Sequence, residues 1–386
     1  MHFFYTPILH FIAFHNDNSY MILSENVDRK IIPIAGGKGG VGKSVIAVNL
    51  ALSFAMHGKK TVLVDLDLGG SNIHTLLGEK NIRPGVGNVI SGLKSSLSAL
   101  ACSTRWDNFY YIPGDVLVCG IGELTLQVKN RIIESLIEIE ADYIILDLGG
   151  GSNYTILDFF LICNSGIIVT TPQTISVLNA YLFLRNYSFR FLQRAFVNNK
   201  QVSGLLRRRM KERYQDDRMT MEEIIREISS KVPSVSKKAE AFLGVLQPKL
   251  ILNKVRSTED IGIGETLRDL CKNTLSINLE CLGTVFESDI VNKSVDTFKP
   301  FVAELPQDIV SKTVQRIALK IMQSSNFPKM PLDYDYYSDS FELAQIETEN
   351  DIAFMQEIQE PNQSQKPMDL NQMLELIRTR QSSMYR

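Results

Sequence analysis

The chain has 386 residues, 44% of them hydrophobic, and a formal net charge of −2. That is enough apolar material for one large domain or a domain with appendages, and the near-neutral balance gives no global attraction to nucleic acid. Five cysteines, at 102, 119, 163, 271 and 281, show no CxxC spacing, which argues against a disulfide framework and against a zinc or iron–sulfur centre; no apolar run reaches membrane-spanning length.

Residues 1–29 form an arm ahead of the first predicted strand. Its first 14 residues are aromatic and apolar but lack the basic leading region and small-residue cleavage site of a signal peptide. They read as a hydrophobic anchor, as a packed arm, or as sequence ahead of a true start at Met21. From Lys30 onward strands and helices alternate. Residues 30–35 are apolar and β-branched and predict a buried strand. A glycine-rich loop follows, and 44–57 carry apolar residues at helical spacing up to Gly58. Strands are predicted over 61–65, 108–112, 143–146, 166–170, 250–252 and 281–285, and helices over 128–139 and 152–163. Such alternation implies an α/β fold: a mostly parallel sheet with helices on both faces.

Two regions depart from that rhythm. Residues 197–247 are charged and helical in pattern, and predict a helical insertion. It carries the basic run Arg207, Arg208, Arg209, Lys211 and Arg213, which reads as a solvated face or as a patch for DNA, an acidic partner or anionic lipid. Residues 333–360 are acidic, without Lys or Arg, and predict a flexible tail. Beyond them Met368, Leu370, Met373, Leu374, Leu376 and Ile377 make one stripe of a short amphipathic helix. The expected division is an arm (1–29), an α/β domain (30–322) and a tail (323–386).

The loop between the first strand and helix reads Gly36-Gly37-Lys38-Gly39-Gly40-Val41-Gly42-Lys43-Ser44. Strand, glycine loop and helix together are the context of a P-loop. Gly37, Gly39, Gly40 and Gly42 let backbone amides close around phosphate oxygens, and the helix points its positive end at the same oxygens. Lys43 supplies a point charge to the β/γ oxygens, and the Ser44 hydroxyl is an Mg²⁺ ligand. Asp65 and Asp67 stand at the carboxyl end of a strand, where an open parallel sheet lines its ligand crevice. Asp147 ends another strand and suits the acidic residue that holds Mg²⁺ in P-loop enzymes. Gly149-Gly150-Gly151 suits a switch loop that senses a γ-phosphate. Asn253 also ends a strand; its amide can bond a purine edge, although Asn is common in turns.

The loop from Lys38 to Ser44 resembles the deviant Walker A motif of the MinD/ParA (SIMIBI) ATPases, with Lys38 as the extra signature lysine. The remaining motifs come in the same order: Val64-Asp65-Leu66-Asp67-Leu68-Gly69-Gly70-Ser71-Asn72, Asp147-Leu148-Gly149-Gly150, Thr170-Thr171-Pro172-Gln173, Leu252-Asn253-Lys254 and Gly283-Thr284-Val285 with Pro306. The resemblance runs over residues 30–320, and its nearest branch is MinD and the flagellar-number regulator FlhG/FleN.

The resemblance implies an ATPase that holds ATP and Mg²⁺ between two subunits of a homodimer. Lys38 would reach the partner's phosphates, Lys43 its own, and Asp67 would orient the attacking water. Gly37 to Ser44, Val41 included, would cradle the phosphates. Ser44, Asp65 and Asp147 would serve the metal, and Asn253 the adenine. Turnover would be slow without an activating protein, and the role would be spatial regulation of the division site or of flagella. The C-terminal stripe would make a reversible membrane contact on the inner face of the cytoplasmic membrane or dock a partner. Its basic balance is thin: Arg378, Arg380 and Arg386 against Asp369 and Glu375. The insertion is longer than the usual MinD connection, and the glutamine-rich activator motif of FlhG is missing. A ParA-like partition ATPase that binds DNA is the alternative, needing a basic surface that only Arg207–Arg213 could supply. A metal-cluster carrier is disfavoured by the lack of CxxC, and an inactive scaffold by the intact Lys43, Asp67 and Asp147.

Overall fold

The computed structural model describes residues 30–80, 84–94, 96–114, 124–212, 220–323 and 340–359. The arm at 1–29 and the stripe at 368–377 lie outside the described residues. Eight strands form one sheet: β1 (Lys30–Ala35), β2 (Thr61–Leu66), β3 (Cys102–Ser103), β4 (Phe109–Ile112), β5 (Tyr143–Leu148), β6 (Ile167–Thr170), β7 (Lys249–Val255) and β8 (Glu280–Phe286). Their order is β3-β4-β2-β5-β1-β6-β7-β8. Every neighbouring pair is parallel except β3 with β4. β2 and β5 are buried along their whole length, as strands covered on both faces must be.

The helices are α1 (Lys43–Met56), α2 (Ile73–Leu76), α3 (Val86–Ile90), α4 (Leu126–Ile137), α5 (Tyr154–Phe160), α6 (Thr174–Ala195), α7 (Lys200–Glu212), α8 (Met221–Lys231), α9 (Ser236–Glu240), α10 (Glu259–Leu275), α11 (Asp289–Asp296), α12 (Phe301–Glu304), α13 (Ile309–Gln323) and α14 (Ser340–Gln359). α1, α12 and α13 pack together; α4, α5, α6 and α10 form a second run of neighbours. The chain builds β2 to β5 on one side of β1 and β6 to β8 on the other. β1 is therefore the switch point of the sheet, and the crevice beyond its carboxyl end is where such folds bind ligands.

The predicted strands all appear, with β2 and β5 running past Asp65 and Asp147. Among the described residues of 197–247, α7, α8 and α9 are the helices. Met221, Ile224, Ile225 and Ile228 of α8 are buried, and Thr220 and Glu223 cap its start reciprocally. Phe242 meets Phe191 of α6 edge-on, at a centroid separation of 4.9 Å. Part of the basic run is neutralised locally. Arg208 and Arg209 pair with Glu227 at 3.2 and 2.5 Å, and Lys231 reaches the same carboxylate.

Within the stretch expected to be an acidic tail, Ser340–Gln359 forms α14. Phe341 and Ala344 are buried at helical spacing. The Ser340 hydroxyl accepts from the Cys281 amide at 2.9 Å, and the Thr284 and Thr348 hydroxyls bond at 2.8 Å. Lys320, itself buried, reaches Glu347 at 2.7 Å. By its internal contacts the chain divides into a large unit, Met1–Thr348, and a small one, Glu349–Arg386. Of the small unit, residues 349–359 are described, and they are helical.

Candidate nucleotide site

The loop from Gly36 to Ser44 joins β1 to α1 and lies at the switch point. Its path needs glycine where neighbours come closest. A Cβ on Gly37 would stand 1.9 Å from the Asn179 carbonyl oxygen of α6. Gly42, at φ 91°, is in the left-handed region, and a Cβ there would stand 2.3 Å from the Asn253 amide nitrogen. Gly42 is also the N-cap of α1, and no side chain caps that helix. The first-turn amides of α1 therefore have no partner within the helix. No acidic residue stands in that turn; Lys43 does, only 6% exposed. A cation buried at the positive end of a helix is unfavourable by itself. An anion on the loop would satisfy both.

Two carboxylates sit beside this cradle because parallel pairing puts them side by side. Asp65 on β2 and Asp147 on β5 are register partners. Both are buried. Asp65 is held from three directions: the Ser71 hydroxyl donates to it at 2.6 Å, the Ile73 amide at 3.3 Å and the Asp67 amide at 3.1 Å. Burial nevertheless pushes its carboxyl up to about 6. Burial, then the neighbouring Asp65 charge, push Asp147 up to about 8, against the Ser44 hydrogen bond and the Lys43 charge. One Asp147 oxygen, Oδ1, is buried without a hydrogen-bond partner. Two crowded carboxyls, an orphaned oxygen and the Ser44 hydroxyl fit an Mg²⁺ ion. No group of three or more His, Cys, Asp or Glu among the described residues could hold a metal alone.

The other expected residues gather at the same place. Asp67, partly exposed, brings Oδ1 to within 3.0 Å of where a Gly149 Cβ would stand. A Gly150 Cβ would be 3.1 Å from the Gly39 amide nitrogen, so the switch loop lies on the P-loop next to Lys38. Lys38 itself is exposed. Asn253 is buried. Its amide donates to the Val41 carbonyl at 2.8 Å, and its oxygen accepts from the Lys254 amide at 3.0 Å. Asn253 thus braces the P-loop from the end of β7. The hydroxyls of Thr170, the last residue of β6, and of Thr171 just beyond it are buried without a hydrogen-bond partner.

Sequence reasoning did not single out Ser71, Gly114, Asn179 or Asn186. Ser71 fixes Asp65, and Gly114 is needed because a Cβ there would be 2.7 Å from the Ser71 hydroxyl. Asn179 lies under Gly37. The Asn186 amide donates to Ser152 beside the switch loop at 2.8 Å. Gly114 had a signal, the Pro113-Gly114 turn at the end of β4; the asparagines had none.

A family model described as the CobQ/CobB/MinD/ParA nucleotide binding domain matches residues 32–301. The chain is 25% identical over 302 residues to the chloroplastic septum site-determining protein MinD homolog of Arabidopsis thaliana, covering 77% of this chain and 76% of that protein. It is 31% identical over 154 residues to the iron–sulfur cluster carrier protein of Escherichia coli, covering 39% of this chain and 41% of the carrier. Among solved structures, the septum site-determining protein MinD of Pyrococcus horikoshii, complexed with Mg-ADP, superposes with a TM-score of 0.52 at 22% identity, over 75% of this chain and 94% of that one.

Proposed function

Since the chain belongs to the CobQ/CobB/MinD/ParA nucleotide-binding family, we propose that it is a MinD/ParA-type ATPase: a switch that binds ATP with Mg²⁺, dimerises and hydrolyses the nucleotide. One observation carries the reading. An uncapped helix start holding buried Lys43 faces a buried carboxyl pair with the orphaned Asp147 Oδ1, so an anion and a cation are wanted side by side. A magnesium nucleotide supplies both. The Mg-ADP bound by the Pyrococcus protein on the same fold supports the choice.

Gly37 to Ser44 cradle the phosphates, and Lys43 holds the β/γ oxygens. Ser44, Asp65 and Asp147 would hold Mg²⁺, which would neutralise phosphate charge. Asp67, against the switch loop at Gly149, orients the attacking water. Exposed Lys38 reaches the nucleotide of a second subunit. Positioning and electrostatics supply most of phosphoryl-transfer catalysis, so this short roster suffices. Turnover is slow until an activating protein binds, and the switch serves spatial regulation of the cell-division or flagellar kind. No described helix is long and apolar enough to cross a membrane.

The partition reading needs a basic DNA surface. Glu227 draws Arg208, Arg209 and Lys231 together, which weakens it. A cluster-carrier role is weaker still. Cys102, Cys271 and Cys281 stand on β3, α10 and β8, and Cys163 on the connection between α5 and β6, so no two of these share an element. Calorimetric titration of ATP in Mg²⁺ tests the main reading. Wild type should bind and turn over ATP, and folded Lys43→Ala should do neither; equal affinity and rate in that variant would overturn it.

A further inference from the structure

The glycine loop at 149–151 has a paradox to resolve. Three successive glycines have the greatest backbone freedom of any tripeptide, yet a catalytic loop must be held in register. Gly151 already sits at φ 95°. One end of the loop is fixed by β5. The other meets the Asn186–Ser152 hydrogen bond, after which Asn153 caps α5 by accepting from the Ile156 amide at 3.0 Å. We infer that Asn186 is a positioning residue, holding the switch loop against the P-loop for catalysis; this rests on the ATPase reading.

The strength of the inference lies in what Asn186 stands on. α6 is anchored from both directions. Near its start, the Asn179 carbonyl lies under Gly37 with no room for a methyl group. Farther along, Arg190 forks onto Asp158 of α5 at 2.7 and 2.8 Å, and Lys129 of α4 reaches the same carboxylate at 2.5 Å. Phe183 and Tyr187 pack edge-on against Phe160, at 5.1 and 4.9 Å between centroids. Asn179, Asn186 and Arg190 are spaced seven and four apart, so they lie along one face of the helix. A single element thus meets the P-loop at Asn179 and Ser152, the residue that follows the switch loop, at Asn186, while Arg190 ties it to α5. Asn186 fixes the distance between the two loops without touching nucleotide.

The test compares Asn186→Leu, which keeps the bulk and loses the amide, with Asn186→Asp, whose carboxylate can still accept from the Ser152 hydroxyl. Two readouts are used: hydrogen exchange of amides 149–153 without nucleotide, and the split between kcat and KM for ATP. Losing one neutral hydrogen bond should speed exchange about 3- to 10-fold in Asn186→Leu. kcat should fall by a similar factor with KM within about twofold, while Asn186→Asp behaves as wild type. Unchanged exchange in a folded Asn186→Leu protein overturns the inference, as does an Asn186→Asp protein equally impaired. If wild type shows no turnover, the ATPase reading fails, and the exchange comparison alone decides whether Asn186 holds the loop.

Discussion

At the residue scale, Asp147 shows a site built at the expense of stability. Its carboxyl is buried, crowded by Asp65 and left with an orphaned oxygen. A carboxyl whose folded pKa stands near 8, against about 3.9 unfolded, destabilises the metal-free fold progressively as pH rises between those values. Asp147→Asn removes the ionisable group. It should stabilise the metal-free protein by about 1–3 kcal/mol at pH 8.5, the gain shrinking towards pH 4, and it should abolish Mg²⁺-dependent turnover. Urea unfolding across that range checks the first part; a gain that grows towards acid would contradict it. Much of the site is legible in the sequence, because Lys43, Asp65, Asp67 and Asp147 carry charge at strand and loop ends where ligand chemistry needs it. Asn179 and Asn186 are not legible, since their roles exist only once distant segments meet.

At the element scale, α4, α5 and α6 are pinned by Asp158, whose side chain is 2% exposed. Burial pushes this carboxyl up, but Arg190 and Lys129 more than offset it, so its pKa lies below the ordinary value. Stability from the ionised group is therefore present above pH 4 and lost as pH falls below. Asp158→Asn leaves buried cations without their anion and should cost about 3–5 kcal/mol at pH 7. Chemical denaturation would show that loss, and the gap from wild type should close in acid; a cost below about 1 kcal/mol would mean the cluster is incidental. The elements themselves divide by length. Strands of four or more apolar residues announce themselves, whereas Cys102–Ser103 is too short to show a period. α14 was hidden by its acidity, which masks the spacing of Phe341, Ala344 and Thr348.

At the scale of the whole molecule, the proposed switch is a pair of chains, and it turns on the two lysines of one loop. Lys43 is buried against its own cradle, whereas Lys38 is exposed beside the switch loop. Lys43 already serves the phosphates of its own subunit, which leaves Lys38 for a second one. Bringing two such loops together sets like charges side by side unless nucleotide lies between them. Dimerisation should then require ATP. Asp67→Ala should bind ATP, fail to hydrolyse it and so hold the ATP state long enough to measure. The decisive measurement is sedimentation velocity of Asp67→Ala with ATP and Mg²⁺, with and without the further change Lys38→Ala. The account predicts a dimer for Asp67→Ala with ATP, a monomer without nucleotide, and an ATP-bound monomer once Lys38 is gone. A protein that stays monomeric with ATP, or dimerises equally without Lys38, would contradict it.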